Sequence, residues 1–145
     1  MIEVARVSAE SHVAPSYFYE RWCDLATHQE WSASMEYLRL SEPLAVGARG
    51  VSKPNDGSPA PFMVTALEPG SVYADTTFLR GARLTVHHEA RPLGEGSRLE
   101  VHAYLQGRRA RVWARRMGND VQQSLSTDLE RLVELASRRD QAERM

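Results

Sequence analysis

The sequence predicts an α+β domain in which an antiparallel sheet of six to seven strands curves around one long C-terminal helix. Two short helices are expected between the first two strands. Three observations carry this reading. Between residues 35 and 106 short runs of β-forming residues are broken by turn-forming residues every 8–14 residues or so. From Trp113 to Ala136 apolar residues recur every three or four positions, with no proline for over thirty residues. Pro15 opens a short helical pattern between these sheet-forming runs and the amino terminus.

Each element follows in order. Residues 2–13 carry Val4, Val7 and Val13 and read as an extended first strand. After Pro15, Phe18 and Trp22 lie four apart, as do Tyr19 and Cys23, which is helical spacing. A second short helix is expected over Ala26–Trp31, capped by Asp24 or Thr27. The strands are expected at Met35–Leu40, Gly47–Lys53, Phe62–Leu67, Val72–Leu79, Ala82–Arg91 and Arg98–Gln106, joined as consecutive hairpins. The clearest alternation sets Leu99, Val101, Ala103 and Leu105 against Glu100, His102, Tyr104 and Gln106, one face apolar and the other wet. The closing helix is expected from about Arg108 to Arg139, with the stripe Trp113, Met117, Val121, Leu125, Leu129, Leu132, Ala136. Gly118 interrupts that stripe at about 1 kcal/mol relative to Ala and marks a kink or a close approach. No linker, repeat or low-complexity tract divides the chain, so residues 1–145 read as a single domain.

Composition narrows the function classes. The chain has 145 residues, 18 basic and 19 acidic side chains, 42% hydrophobic and 26% charged residues. Those fractions exclude wholesale disorder and fibrous repeats. A net charge of −1 makes no whole-chain case for nucleic acid or for an anionic membrane, and no nucleic-acid partner is expected. Cys23 is the single cysteine, which excludes an internal disulfide or a multi-cysteine zinc site and suits a reducing compartment. The amino terminus lacks the apolar core of a signal peptide, and no run approaches the ~20 apolar residues of a membrane span. A cytoplasmic protein is the expectation. Among the basic residues, 17 arginines stand against one lysine, Lys53, and Arg codon bias accounts for most of that skew.

Several segments, in order, resemble the START-like (SRPBCC) superfamily and within it the bacterial polyketide cyclase/dehydrase and lipid-transport group. His12-Val13-Ala14-Pro15 followed by Phe18, Tyr19, Asp24 and Trp31 resembles that family's first strand and helical pair. Leu44-Ala45-Val46-Gly47 resembles its glycine hairpin, and Val64 through Gly70 its fourth strand and turn. Glu89 through Leu99 resembles its last hairpin, with the terminal helix following at the right distance. The resemblance implies a helix-grip fold with a hydrophobic cavity between sheet and long helix. It implies binding of a small hydrophobic or aromatic ligand, a lipid or polyketide-like metabolite, without cofactor or metal. It also leaves open a polyketide cyclase, aromatase or dehydratase activity in the same cavity. A homodimer is compatible with it.

Parity selects residues for the cavity. His88 shares a side with Leu84 and Val86 and is expected inside, while His102 is expected outside; adjacent His87 and His88 point to opposite faces, which disfavours a shared metal ion. On Val72–Leu79 the class Val72, Ala74, Thr76, Phe78 is the more apolar and is expected inward, with Tyr73 and Asp75 outward. By the resemblance Trp31 and Tyr37 lie at the cavity's edge, and Trp113, Met117 and Val121 roof it. The expected ligand-binding set is Trp31, Met63, Phe78, Val86, His88, Val101, Trp113, Met117 and Val121. An enzymatic reading would use His88 with Tyr37 or Arg80 as the polar groups inside an apolar pocket. Cys23 on an apolar helix face reads as an inert core thiol.

Arg108, Arg109, Arg111, Arg115 and Arg116 place five positive charges in nine residues around Trp113. A solvated helix face explains such a cluster, and so does contact with a phosphate, a membrane surface or an anionic ligand. The helix dipole disfavours positive charge at this end.

Overall fold

The computed structural model describes residues 1–144. The strands are β1 (Ile2–Ser11), β2 (Met35–Leu40), β3 (Arg49–Pro54), β4 (Ala60–Glu68), β5 (Val72–Leu79), β6 (Ala82–Leu93) and β7 (Gly96–Gln106). They form one antiparallel sheet in the order β1-β7-β6-β5-β4-β3-β2, so every neighbour except β1–β7 is a sequence-adjacent hairpin. Two helices cover it, α1 (Pro15–Cys23) and α2 (Ala110–Arg144), with a 3₁₀ helix at Leu25–Glu30.

Pro15 sits in the first turn of α1 after an extended Ala14, where its missing N–H removes no helical bond. The second short helix is a 3₁₀ turn beginning at Leu25, and neither Asp24 nor Thr27 caps it through its side chain. Instead the Thr27 hydroxyl donates back to the Asp24 carbonyl at 3.2 Å. Register shifts between Glu3 and Ala5, Met35 and Tyr37, and Val64 and Ala66 are bulges that bend the sheet toward α2. Gly50 faces that concave side, where an added Cβ would lie 2.6 Å from the Phe62 ring, so only glycine fits.

The core divides in two. The larger cluster joins Phe18 and Trp22 of α1, Trp31, the sheet residues Val64, Tyr73, Leu99 and Val101, and Leu129, Leu132 and Ala136 of α2. A smaller one gathers Ala82, Leu105 and Ala110, with Ile2, Val4, Leu79, Leu84 and Trp113 against them. It ties the β5–β6 turn to the start of α2: the Arg109 N–H donates to the Gly81 carbonyl at 3.0 Å, and Trp113 Nε1 donates to the Arg80 carbonyl at 2.9 Å. Gly107, at φ +114°, allows this approach, since an added Cβ would lie 2.7 Å from the Gly81 oxygen. Between these anchors α2 packs mainly on β1, and no side chain from Arg111 to Thr127 is fully buried.

α2 continues through Gly118, where an added Cβ would meet only Val4, at 3.9 Å. Neither a close approach nor a positive φ requires glycine there. Gly118→Ala is therefore expected to raise stability by about 0.5–1 kcal/mol in urea unfolding, through a less flexible unfolded chain. A destabilised variant would show that the helix needs the glycine to bend.

Candidate functional site

Cross-strand pairing fixes which side chains share the concave face. Val86 lies opposite Ala103 of β7 and Asp75 of β5, and Asp75 in turn lies opposite Val64. One step along, His88 lies opposite Val101 and Tyr73, and Tyr73 lies opposite Leu67. Val64, Tyr73 and Val101 belong to the core formed with α2, so these rows face inward. His88 is inside and His102 outside, as parity requires, and the His102 ring lies tilted against His87 on the convex face at 4.9 Å between ring centroids.

β5 is turned the other way from expectation. Tyr73, Asp75, Thr77 and Leu79 face inward; Val72, Ala74, Thr76 and Phe78 face outward. The physical reason is that both faces of β5 are shielded. Val72, Ala74 and Thr76 are buried on the convex side, where the Thr76 and Thr85 hydroxyls share a hydrogen bond at 2.7 Å. Apolar content therefore does not mark the inner face. Phe78 is 38% exposed opposite Arg83 and borders no interior space. Met63, opposite Thr76 and Arg49, is likewise on the convex face. Tyr37 is opposite Lys53 with the Arg39 guanidinium 4.2 Å above its ring, again outside. Arg80 is exposed in the β5–β6 turn. His88, Tyr37 and Arg80 are thus not brought together.

The inner polar groups form two connected sets. The His88 Nδ1 lies 3.0 Å from the Tyr73 carbonyl, which can only accept, so Nδ1 carries the hydrogen and Nε2 is left as an acceptor. Burial pushes the imidazole down to about 3, so it is neutral at physiological pH. Its ring is wedged between Trp22 at 5.2 Å and Tyr73 at 5.5 Å. The Tyr73 hydroxyl donates to Asp75 Oδ2 at 2.7 Å. Burial raises the Asp75 carboxyl to about 6, against the opposing pull of that hydrogen bond. In the second set the Ser32 hydroxyl donates to Asp128 Oδ2 at 2.8 Å, and burial raises Asp128 to about 6. Beside them the Trp31 indole N–H is buried with no partner among the described residues. His28, 4.3 Å from the Trp31 ring, is pushed down to about 4 by burial.

The two sets meet at a void of about 10 Å³ lined by Trp22, Trp31, His88, Val101, Leu125, Asp128, Leu129 and Leu132. That is room for about one water, against roughly 300–1,000 Å³ for typical small-molecule pockets. Of the expected ligand-binding residues, Trp31, His88 and Val101 border it. Val86 is half-buried on the same face one step away. Trp113 belongs instead to the smaller core, and Met117 and Val121 are half-buried without lining the void. Ser32 and Asp128 were not anticipated; Asp128 was readable in principle, standing three residues after Leu125 and four before Leu132 on the apolar stripe. A larger open cleft of about 190 Å³ lies between α1 and the end of α2, lined by residues including Tyr17, Glu20, Arg139 and Asp140, away from these groups. Cys23 is half-buried and its thiol is pushed up by burial, which keeps it protonated and unreactive. Among the described residues no three His, Cys, Asp or Glu side chains are placed to share an ion, and no helix is long and apolar enough to cross a membrane.

No protein-family model matches the chain, and no curated protein matches it in sequence. Solved structures do match. Protein MLL2253 from Mesorhizobium loti is 21% identical, with a TM-score of 0.73 over 92% of this chain and 96% of that one. Ara h 8.0201 is 12% identical, with a TM-score of 0.68 over 90% of this chain and 95% of that one. DynU16, a protein of the dynemicin biosynthetic locus, is 18% identical, with a TM-score of 0.67 over 90% of this chain and 45% of that one. At these identities the likeness concerns the fold alone, a helix-grip fold.

Asp128 supplies a test with a definite sign. With a carboxyl near 6 when folded, the protein holds a proton that the unfolded chain has released between about pH 4 and 6. Stability contributed by this group therefore falls as pH rises through that window and stays lower above it. Asp128→Asn keeps an acceptor for Ser32 and is expected to raise stability at about pH 7.5 by roughly 1–3 kcal/mol. The gain should shrink to under half at about pH 4.5; an equal gain at both values would show that the carboxylate is not the cost.

Proposed function

We propose that the protein binds a small hydrophobic or aromatic molecule, a lipid or polyketide-like metabolite, between the sheet and α2. The observation that supports this best is the Trp31 indole N–H, unpartnered among the described residues, at a mostly apolar void that His88 and Asp128 also line. An unsatisfied buried donor costs about 1–3 kcal/mol. A ligand hydroxyl placed there would accept from Trp31 and donate to the bare His88 Nε2, relieving that cost, while Trp22, Leu125, Leu129 and Leu132 take its apolar body. The helix-grip fold and the likeness to a protein of the dynemicin biosynthetic locus support a small-molecule ligand.

A void of about 10 Å³ admits such a molecule only if a wall moves. The wall with the least buried packing is α2 between Ala110 and Asp128. Met117, Val121 and Leu125 would swing outward, so Met117 and Val121 would become ligand contacts in the open form. The closed form taxes the apparent affinity by the fraction of time the helix is displaced.

One observation favours a second reading, a cyclase, aromatase or dehydratase-type reaction on the same inner face, one step along the sheet from the void. The Tyr73–Asp75 pair faces inward, and a carboxyl near 6 is poised to exchange a proton at neutral pH. In that reading Asp75 is the acid–base group and Tyr73 its hydrogen-bond partner.

Titration with a fluorescent fatty acid, followed by native mass spectrometry, separates these outcomes. Saturable uptake of one ligand per chain is expected. Trp31→Phe, which removes the N–H and keeps an aromatic ring, should weaken uptake of a hydroxylated probe about five- to tenfold and leave an unsubstituted one nearly unchanged. No saturable uptake of any probe would overturn the binding reading. A product formed by the wild type and lost in Asp75→Asn, with binding intact, would establish the second.

A further inference from the structure

We propose that the end of the molecule where α2 begins docks on an anionic lipid surface. Arg80 and Arg83 at the β5–β6 turn join the five arginines between Arg108 and Arg116, all of them exposed. The contact of Arg109 with Gly81 and of Trp113 with Arg80 fixes the two segments side by side. None of these seven reaches a carboxylate among the described residues. Most arginines elsewhere do, among them Arg6 with Glu3 and Glu100, Arg21 with Glu30, Arg138 with Glu134 and Arg139 with Glu143; Arg39, Arg49 and Arg131 do not. The balance is local. The chain has 18 basic side chains; with these seven set aside, 11 basic side chains remain against 19 acidic ones.

Intrinsic helix physics does not account for the placement, because the dipole favours negative charge in the first turn and none is present there. Apolar side chains are interleaved with the arginines. Val112 is 45% exposed between Arg111 and Trp113, and Phe78 is 38% exposed directly opposite Arg83. Met1, 84% exposed, precedes Ile2, which pairs with Leu105 at the same end of the sheet. Nucleic acid would reward the arginines alone. The headgroup layer of an anionic bilayer rewards both, with phosphates for the guanidinium groups and the acyl boundary for Val112, Phe78 and Met1. The Arg116 guanidinium lies 6.0 Å over Trp113, whose ring is already anchored, so this part of the surface is pre-organised.

The surface does not depend on the interior binding site, and its test is separate. Co-sedimentation with vesicles of phosphatidylglycerol and phosphatidylcholine should retain the full chain, vesicles of phosphatidylcholine alone should not, and added salt should release it. Each arginine near such a surface is worth about fivefold, so Arg111→Glu/Arg115→Glu/Arg116→Glu should lose on the order of 100-fold in partitioning. All three side chains are exposed, glutamate is a good helix former and the dipole favours it at position 111, so the variant is expected to fold, and an unchanged melting curve would confirm it. Val112→Asp should also weaken partitioning, whereas Arg91→Glu/Arg98→Glu at the opposite end of the strands should not. Equal binding to the neutral vesicles, or retention by the triple variant, would overturn the proposal. So would tighter binding to duplex DNA with Val112→Asp having no effect.

Discussion

Because side chains alternate across a strand, the pairing of β5 with β6 decides the chemistry of the whole interior. With Tyr73 opposite His88 and Asp75 opposite Val86, a phenol, a carboxyl and an imidazole all point at α2. A slip of one residue on β5 would replace Tyr73, Asp75 and Thr77 with Val72, Ala74 and Thr76 and send the phenol and the carboxyl to the convex side, leaving His88 behind. The observed register is held by more than the backbone ladder. His88 Nδ1 on β6 donates to the Tyr73 carbonyl on β5. On the convex side the Thr76–Thr85 hydroxyl pair locks the same alignment. Each of these bonds contributes only about 1 kcal/mol net, but leaving its buried groups unpaired would cost more, so the slipped sheet is strongly disfavoured.

The elements legible in the sequence were those with one dry face and one wet face. On β7, Leu99, Val101, Ala103 and Leu105 are nearly or completely buried, while Glu100, His102, Tyr104 and Gln106 are only half-buried, so period and burial agree. The last turns of the stripe on α2, Leu129, Leu132 and Ala136, are legible for the same reason. β5 defeats the method because the middle of a seven-stranded sheet is shielded on both sides, and small residues such as Ala74 bury themselves under neighbouring side chains. Met63 and Tyr37 also lie outside; Tyr37 is placed at the cavity's edge only by the resemblance, which does not fix register. Each is a large residue on the convex face, sheltered by cross-strand neighbours rather than by the core. Asp128 was hidden by its chemical type, since a carboxyl on an apolar stripe becomes interpretable only once Ser32 is seen beside it.

The buried ionisable groups also counterbalance one another. Asp75 and Asp128, both near 6, hold protons in the folded protein that the unfolded chain loses above about pH 4. His28 near 4 and His88 near 3 do the reverse, giving up protons on folding that the unfolded chain keeps until about pH 6.5. Between about pH 4 and 6 the two carboxyls and two imidazoles act with opposite sign, and their contributions to the slope of stability nearly cancel. Below that range the carboxyls are protonated in both states and only the histidine contribution remains. Acid unfolding is then driven from the same interior that carries the candidate site.

α2 makes this combination workable because it is anchored unevenly. Its last turns are fixed by Leu129, Leu132 and Ala136, and its first turn by Ala110 and Trp113. The stretch between them is held chiefly against β1, through half-buried contacts. A helix bonded continuously along its backbone transmits strain from one end to the other, so a load at the first turn reaches Met117 and Val121 more readily than the tightly packed Leu132. Arginines concentrated at that first turn therefore stand where an external surface would have most leverage on the wall of the void. The charge asymmetry and the closed interior are then two properties of one element: a helix clamped at both ends and loosely packed where a ligand would have to enter.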